Sequence, residues 1–92
     1  MKFMITWRTR PGFYKLAVQQ FLKTGGSPPK GVKTVSRWHA PGSTVGWHLV
    51  ETDDLTALAE HAAEWGDTLD LDVNPVVEDA QAGEAASRVF GK

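Results

Sequence analysis

An α+β fold with a four-stranded antiparallel sheet is what the sequence predicts, on three observations. Four short stretches alternate apolar and polar residues with a period of two, as half-buried strands do. Two longer stretches carry apolar residues at i, i+3, i+4 and i+7, the period of a helix with one face on a core. The order along the chain is β-α-β-β-α-β, with a third, weaker helical stretch after it.

The first strand is Lys2 to Arg8, where Phe3, Ile5 and Trp7 alternate with Met4, Thr6 and Arg8, and Arg10-Pro11-Gly12 ends it. Tyr14, Ala17, Val18, Phe21 and Leu22 then lie on one side of a helix, with Lys15, Gln19, Gln20 and Lys23 opposite. The Gly25-to-Gly31 stretch, with its paired prolines, cannot continue that helix and forms a crossover loop. Val32 to His39 and Thr44 to Glu51 read as a hairpin closed by Ala40-Pro41-Gly42-Ser43, whose Pro-Gly pair is a turn signal. Thr52, Asp53 and Asp54 offer side-chain oxygens to cap a second helix carrying Leu55, Leu58, Ala59, Ala62 and Trp65, ended by Gly66. Leu69, Leu71 and Val73 alternate with Asp70, Asp72 and Asn74 in a last strand reaching about Glu78, and Pro75 inside it points to a sheet edge or a bulge. Ala82, Ala85, Ala86, Val89 and Phe90 return to helical spacing, weakened by Gly83.

This order is that of a ferredoxin-like βαββαβ unit plus a C-terminal helix. With 92 residues, 41% of them hydrophobic, the chain builds one modest core, so residues 1–92 are expected to form a single domain. The absence of cysteine excludes disulfides and thiolate metal sites. The apolar start is too short for a signal core or a membrane span, so a cytoplasmic location with no membrane partner is expected.

Charge is lopsided. Met1 to Val50 holds eight Lys or Arg and no acid, while Glu51 to Lys92 holds two and eleven, for a net charge of −1. Either the halves neutralise each other within one protomer, or basic and acidic elements meet across a symmetric interface. The basic residues are scattered and form no stripe, no aromatic-rich RNA-binding signature is present, and Gly25-Gly26 lacks the context of a phosphate loop; no nucleic-acid partner is expected.

Right-handed crossovers put both main helices on one face of the sheet. Alternation places Trp38, Val45, Trp47 and Leu49 on one face of the hairpin, and Val35, Arg37, His39, Gly46, His48 and Val50 on the other. Two helices shelter only one face, so the second needs a cover: a second copy of the chain is the favoured one, and the C-terminal helix folding back is the alternative.

The segments MKFMITWR at the start, RWH at 37–39, GWHLVETDD at 46–54, Trp65 and PVVED at 75–79 together resemble a family of short bacterial proteins known only as a domain of unknown function. That family looks like a member of the dimeric α/β-barrel superfamily. The resemblance covers nearly the whole chain and implies a ferredoxin-like protomer whose sheet packs on that of a second copy. The superfamily includes cofactor-free monooxygenases, haem-degrading enzymes and small-lactone isomerases, with ligand cavities between sheet and helices; fold alone does not choose among them.

Among candidate chemical groups, Arg37, His39 and His48 share a strand face and form a set able to bind a carboxylate or phenolate and shuttle protons near neutral pH. Ordinary polar groups at strand ends or in a dimer seam are the plainer interpretation. His61 and Trp65, four apart, read as a solvent-edge histidine packed on a tryptophan, a haem pocket being the alternative. Asp70 and Asp72 read as the wet side of a strand. The three histidines lack ligand spacing, so no metal and no cofactor are expected. The functional expectation is a homodimer that binds a small organic molecule in a cavity formed around Trp7, Arg37, Trp38, His48 and Trp65. Cofactor-independent monooxygenase- or isomerase-like chemistry would be its enzymatic form. A structural or interaction protein, with the same tryptophans as core and interface, is the alternative.

Overall fold

A computed structural model describes residues 1–91. The elements follow in the order β1 (Lys2–Thr9), α1 (Tyr14–Thr24), β2 (Lys33–His39), β3 (Val45–Glu51), α2 (Leu55–Trp65), β4 (Leu69–Val76) and α3 (Asp79–Phe90). The strands form one sheet in the order β2-β3-β1-β4 with every neighbour antiparallel, which is the ferredoxin-like arrangement with an added C-terminal helix.

Alternation along β1 decides what each face becomes. Phe3, Ile5 and Trp7 point to the helices, as do their registered partners Val50 and His48 of β3 and Leu71 and Val73 of β4, and Leu69, which pairs with Thr9. One buried cluster joins Phe3, Ile5, Val32 and Val50 to Ala57 and Leu58 of α2; another joins Ala17 of α1 to Trp65 and Leu69. Trp7 and Leu71 pack against both clusters and link them. Fully burying a side chain such as Ile5 or Val50 contributes about 1.5–3 kcal/mol, so this face of the sheet carries most of the stability.

Local chemistry sets the ends of the elements. Gly25 ends α1 in the left-handed region at φ 71°, its N–H donating to Phe21 O at 2.7 Å, a conformation that costs glycine little. Asp54 caps α2 by accepting from Ala57 N at 3.0 Å. Thr52 Oγ1 accepts from Asp54 N at 2.9 Å and donates to Gly31 O at 2.7 Å, tying the α2 start to the loop before β2. Pro75 sits in β4 opposite Phe3, and β4 is an edge strand, where a missing N–H costs no ladder bond.

The hairpin departs from simple alternation at one place. A bulge lies between Thr34 and Ser36, so Thr34 pairs with Val50 and Arg37 with His48, both on the helix side, while Val35 falls in the irregularity and is exposed. The expected place of Val35 beside Arg37 is therefore corrected: the extra residue resets the parity of the strand. Beyond the bulge, Trp38 lies opposite Trp47 on the far face, and Leu49 pairs with Ser36 and Met4 there.

Among the described residues, α3 does not cover that far face. Trp38 is 58% exposed and Trp47 40%. Helix α3 has a capping box formed by Glu78 and Gln81, yet none of its residues is buried, and Phe90 is 85% exposed. The molecule extends over 54 × 27 × 18 Å, a shape too long for a tail folded back on its body. Ion pairs from Lys2 to Glu78, Arg10 to Asp70 (3.2 Å) and the N-terminal amine to Asp53 (3.0 Å) connect the basic and acidic halves of the chain. No helix among the described residues is long and apolar enough to cross a membrane.

Candidate functional site

Between the helix face of the sheet and the two helices lies a cavity of about 260 Å3. The indole of Trp7 lies flush on Gly46, in space that a Cβ there would take, and Ala17, a small side chain of α1 clustered with Trp65 and Leu69, leaves the gap above the sheet open. Trp7, Phe21, Trp65 and Leu71 form apolar walls. Leu22 and His39, the exposed members of the lining, mark the mouth.

Arg37 supplies the charge. Its Nη1 donates to Gly25 O at 3.1 Å and its Nη2 to Gly26 O at 2.6 Å, and the guanidinium stands 5.9 Å from the Phe21 ring centre. A side chain at position 26 would meet Arg37 Nη1 at 2.8 Å, and Gly26 has φ 65°, so this glycine both permits the turn and lets the guanidinium in. Burial lowers the Arg37 pKa, but a guanidinium starts so high that it stays charged. None of the ion pairs among the described residues includes Arg37, and no carboxylate lines the cavity.

Two histidines complete the floor. His48, 2% exposed, lies 2.8 Å through Nε2 from Thr34 Oγ1, and its Nδ1 is 3.4 Å from Arg37 Nη2. Nη2 is also 3.3 Å from Nε2, so the guanidinium approaches both ring nitrogens, and a neutral ring in either tautomer offers it an acceptor. His61 of α2 is 4% exposed and meets His48 edge to face with ring centres 5.5 Å apart; its Nδ1 is buried without a partner. Burial, and then the Arg37 and His61 charges, push the His48 pKa down to about 3, and burial followed by Arg37 lowers that of His61. Both rings are thus neutral near pH 7, and the only cation of the floor is Arg37. His39 sits at the mouth, edge-on to both Trp7 (5.2 Å) and Phe21 (5.3 Å).

These histidines make stability depend on pH. An unfolded imidazole takes a proton near pH 6.5, whereas folded His48 holds out until about 3, so between those values the unfolded chain binds the extra proton. The His48 contribution is complete above pH 6.5, falls as pH drops towards about 3 and changes no further below it, and His61, lowered by burial and Arg37, adds to the loss in the same direction. Between pH 7 and 5, above the ordinary carboxylate range, the urea midpoint is expected to decrease, and His48→Gln to flatten part of that slope. A midpoint constant from pH 7 to 5 contradicts this account.

Of the residues singled out in the sequence, Trp7, Arg37, His48 and Trp65 come together around the cavity. Trp38 does not: it is the neighbour of Arg37 in the strand, and alternation turns it to the opposite, exposed face. His61 is also corrected, from the solvent edge to the cavity floor. Its spacing from Leu58 and Trp65, three before and four after, placed it on the buried stripe of α2, a signal overridden by its polarity. Phe21 and Thr9 join the lining as well, Thr9 with a buried, unpartnered Oγ1. Asp70 and Asp72 lie exposed on the far face. No group of three metal-ligating side chains occurs among the described residues.

A family model described as Domain of unknown function (DUF3303) matches residues 1–90. The chain belongs to this family. No curated protein and no solved structure matches it. In this DUF3303 protein, then, the arrangement itself carries the functional argument: a half-sheltered apolar space with one fixed cation, two neutral imidazoles and aromatic walls.

Proposed function

We propose that this protein is a homodimer that binds a small organic molecule between sheet and helices, with the ligand lodged among Trp7, Arg37, His48 and Trp65. The observation that carries this reading is the cavity. A filled interior would favour a structural role, whereas about 260 Å3 with converging polar groups approaches the size of small-ligand sites. The dimer rests on a separate argument. Trp38 and Trp47 lie side by side on a face that α3 leaves bare, and a second sheet of the same kind would bury both, as in a dimeric α/β barrel. Chemistry, where it occurs, would be of a cofactor-independent monooxygenase or isomerase kind, with the ligand held by Arg37 and protons exchanged with a neutral imidazole.

Native mass spectrometry of protein purified from its own host tests both parts in one spectrum. The expected result is a mass of two chains carrying a small-molecule adduct that collisional activation removes. A bare single-chain mass at micromolar concentration overturns the proposal.

A further inference from the structure

We propose that the cavity takes a monoanionic carboxylic acid with a flat apolar body of roughly one or two rings, its carboxylate held by Arg37. This rests on the small-molecule reading above and names the class of ligand.

The first argument is charge. The lining contains one arginine and no aspartate or glutamate, and the four ion pairs of the described residues are made elsewhere. A cation set against apolar walls without a counter-ion is costly, and an incoming anion relieves that cost. The partners Arg37 already has, Gly25 O, Gly26 O and His48, are neutral: they aim the guanidinium and leave its charge uncompensated. A guanidinium has five N–H donors, so these three acceptors leave donors in hand.

The second argument is the number of charges. With His48 and His61 neutral, the site offers a single positive charge, so a dianion such as a phosphate monoester or a dicarboxylate would bring one charge too many into an apolar space. An amine would set cation against cation. A carboxylic acid is already ionised at pH 7, whereas a phenol would first have to surrender a proton.

The third argument is shape. Trp7, Phe21, Trp65 and Leu71 present flat or branched apolar surface, and the volume suits a ring with a short arm rather than a long acyl chain.

Calorimetric titration of the full chain with cinnamate, methyl cinnamate, cinnamylamine and phthalate provides the test. Cinnamate is expected to bind about ten- to a hundredfold more tightly than its methyl ester, the range of one charge-assisted hydrogen-bonded contact. Phthalate and the amine are expected to bind more weakly than cinnamate. Arg37→Gln should erase the gap between acid and ester, and Arg37→Lys should keep part of it, with circular dichroism reporting the fold of each. Should the Gln variant unfold, added salt on the native chain serves instead: it should weaken cinnamate and leave the ester unchanged. Equal binding of acid and ester, or preference for the amine or the dianion, overturns the carboxylate class while leaving the ligand pocket standing. If none of the four probes binds, the pocket reading falls with it.

Discussion

Replacing Trp47 by aspartate is expected to leave the chain folded and to abolish the proposed sheet-to-sheet pairing. Trp47 lies at the middle of the bare face, with Trp38 opposite it on one neighbouring strand and Thr6 on the other. It belongs to neither core cluster of its own protomer, so a polar substitution there should leave the isolated chain folded at a cost of about 1–3 kcal/mol. In a face-to-face pair of sheets, the carboxylate would be driven into the centre of an apolar contact beside its own symmetry mate. An unpaired buried charge costs several kcal/mol, on the order of 3–5, and twofold symmetry exacts that cost twice. Sedimentation velocity at micromolar concentration separates the outcomes. A native dimer and a monomeric Trp47→Asp chain with unchanged circular dichroism are expected; a native monomer, or a variant that remains dimeric, contradicts the sheet-to-sheet assembly.

Gly46→Ala is expected to be the most damaging conservative substitution in the protein. Gly46 faces Trp7 directly across β1 and β3, and a methyl group at that position would overlap carbons of the indole ring. Trp7 cannot swing away freely: it packs against both core clusters and meets His39 edge-on. Overpacking of this kind costs about 1–3 kcal/mol, and in a chain of this size each kcal/mol lowers Tm by about 4–8 °C. A double-mutant cycle separates this clash from any intrinsic effect of alanine in the strand. In a Trp7→Leu background, Gly46→Ala should lower Tm much less than it does in the native chain, because the shortened side chain makes room for the methyl group. An unchanged Tm for Gly46→Ala would mean that the indole is not where the structure puts it. The same variant should alter the cavity, since Trp7 is one of its walls.

Much of the fold can be read from spacing. The alternation of Phe3, Ile5 and Trp7, the four-residue steps through Ala17 and Phe21, and the Pro-Gly turn at 41–42 each state a local preference that the tertiary structure leaves intact. The hairpin faces are legible for the same reason from Arg37 onward, because Trp38 and Trp47 lie beyond the irregular part of β2. The position of Val35 is not legible, because a bulge inserts one residue without a signature in composition. His61 was misjudged because a lone histidine on a helix carries no sign of its depth: the same imidazole suits water or a wall of tryptophan, and the sheet underneath decides which.

The order of elements, the apolar side of β1, β3 and β4, and the surplus of apolar surface relative to the helices available to shelter it are written into the amino-acid order. These follow from short-range sterics and from periodicity, which act between residues close together in the chain. Long-range packing, in contrast, brings His61 of α2 onto the floor with Arg37 and His48, and leaves the tryptophan face bare of α3. Those facts depend on how strands and helices distant in sequence are set against one another, and a shift of one residue in that packing exchanges a binding wall for an outer surface.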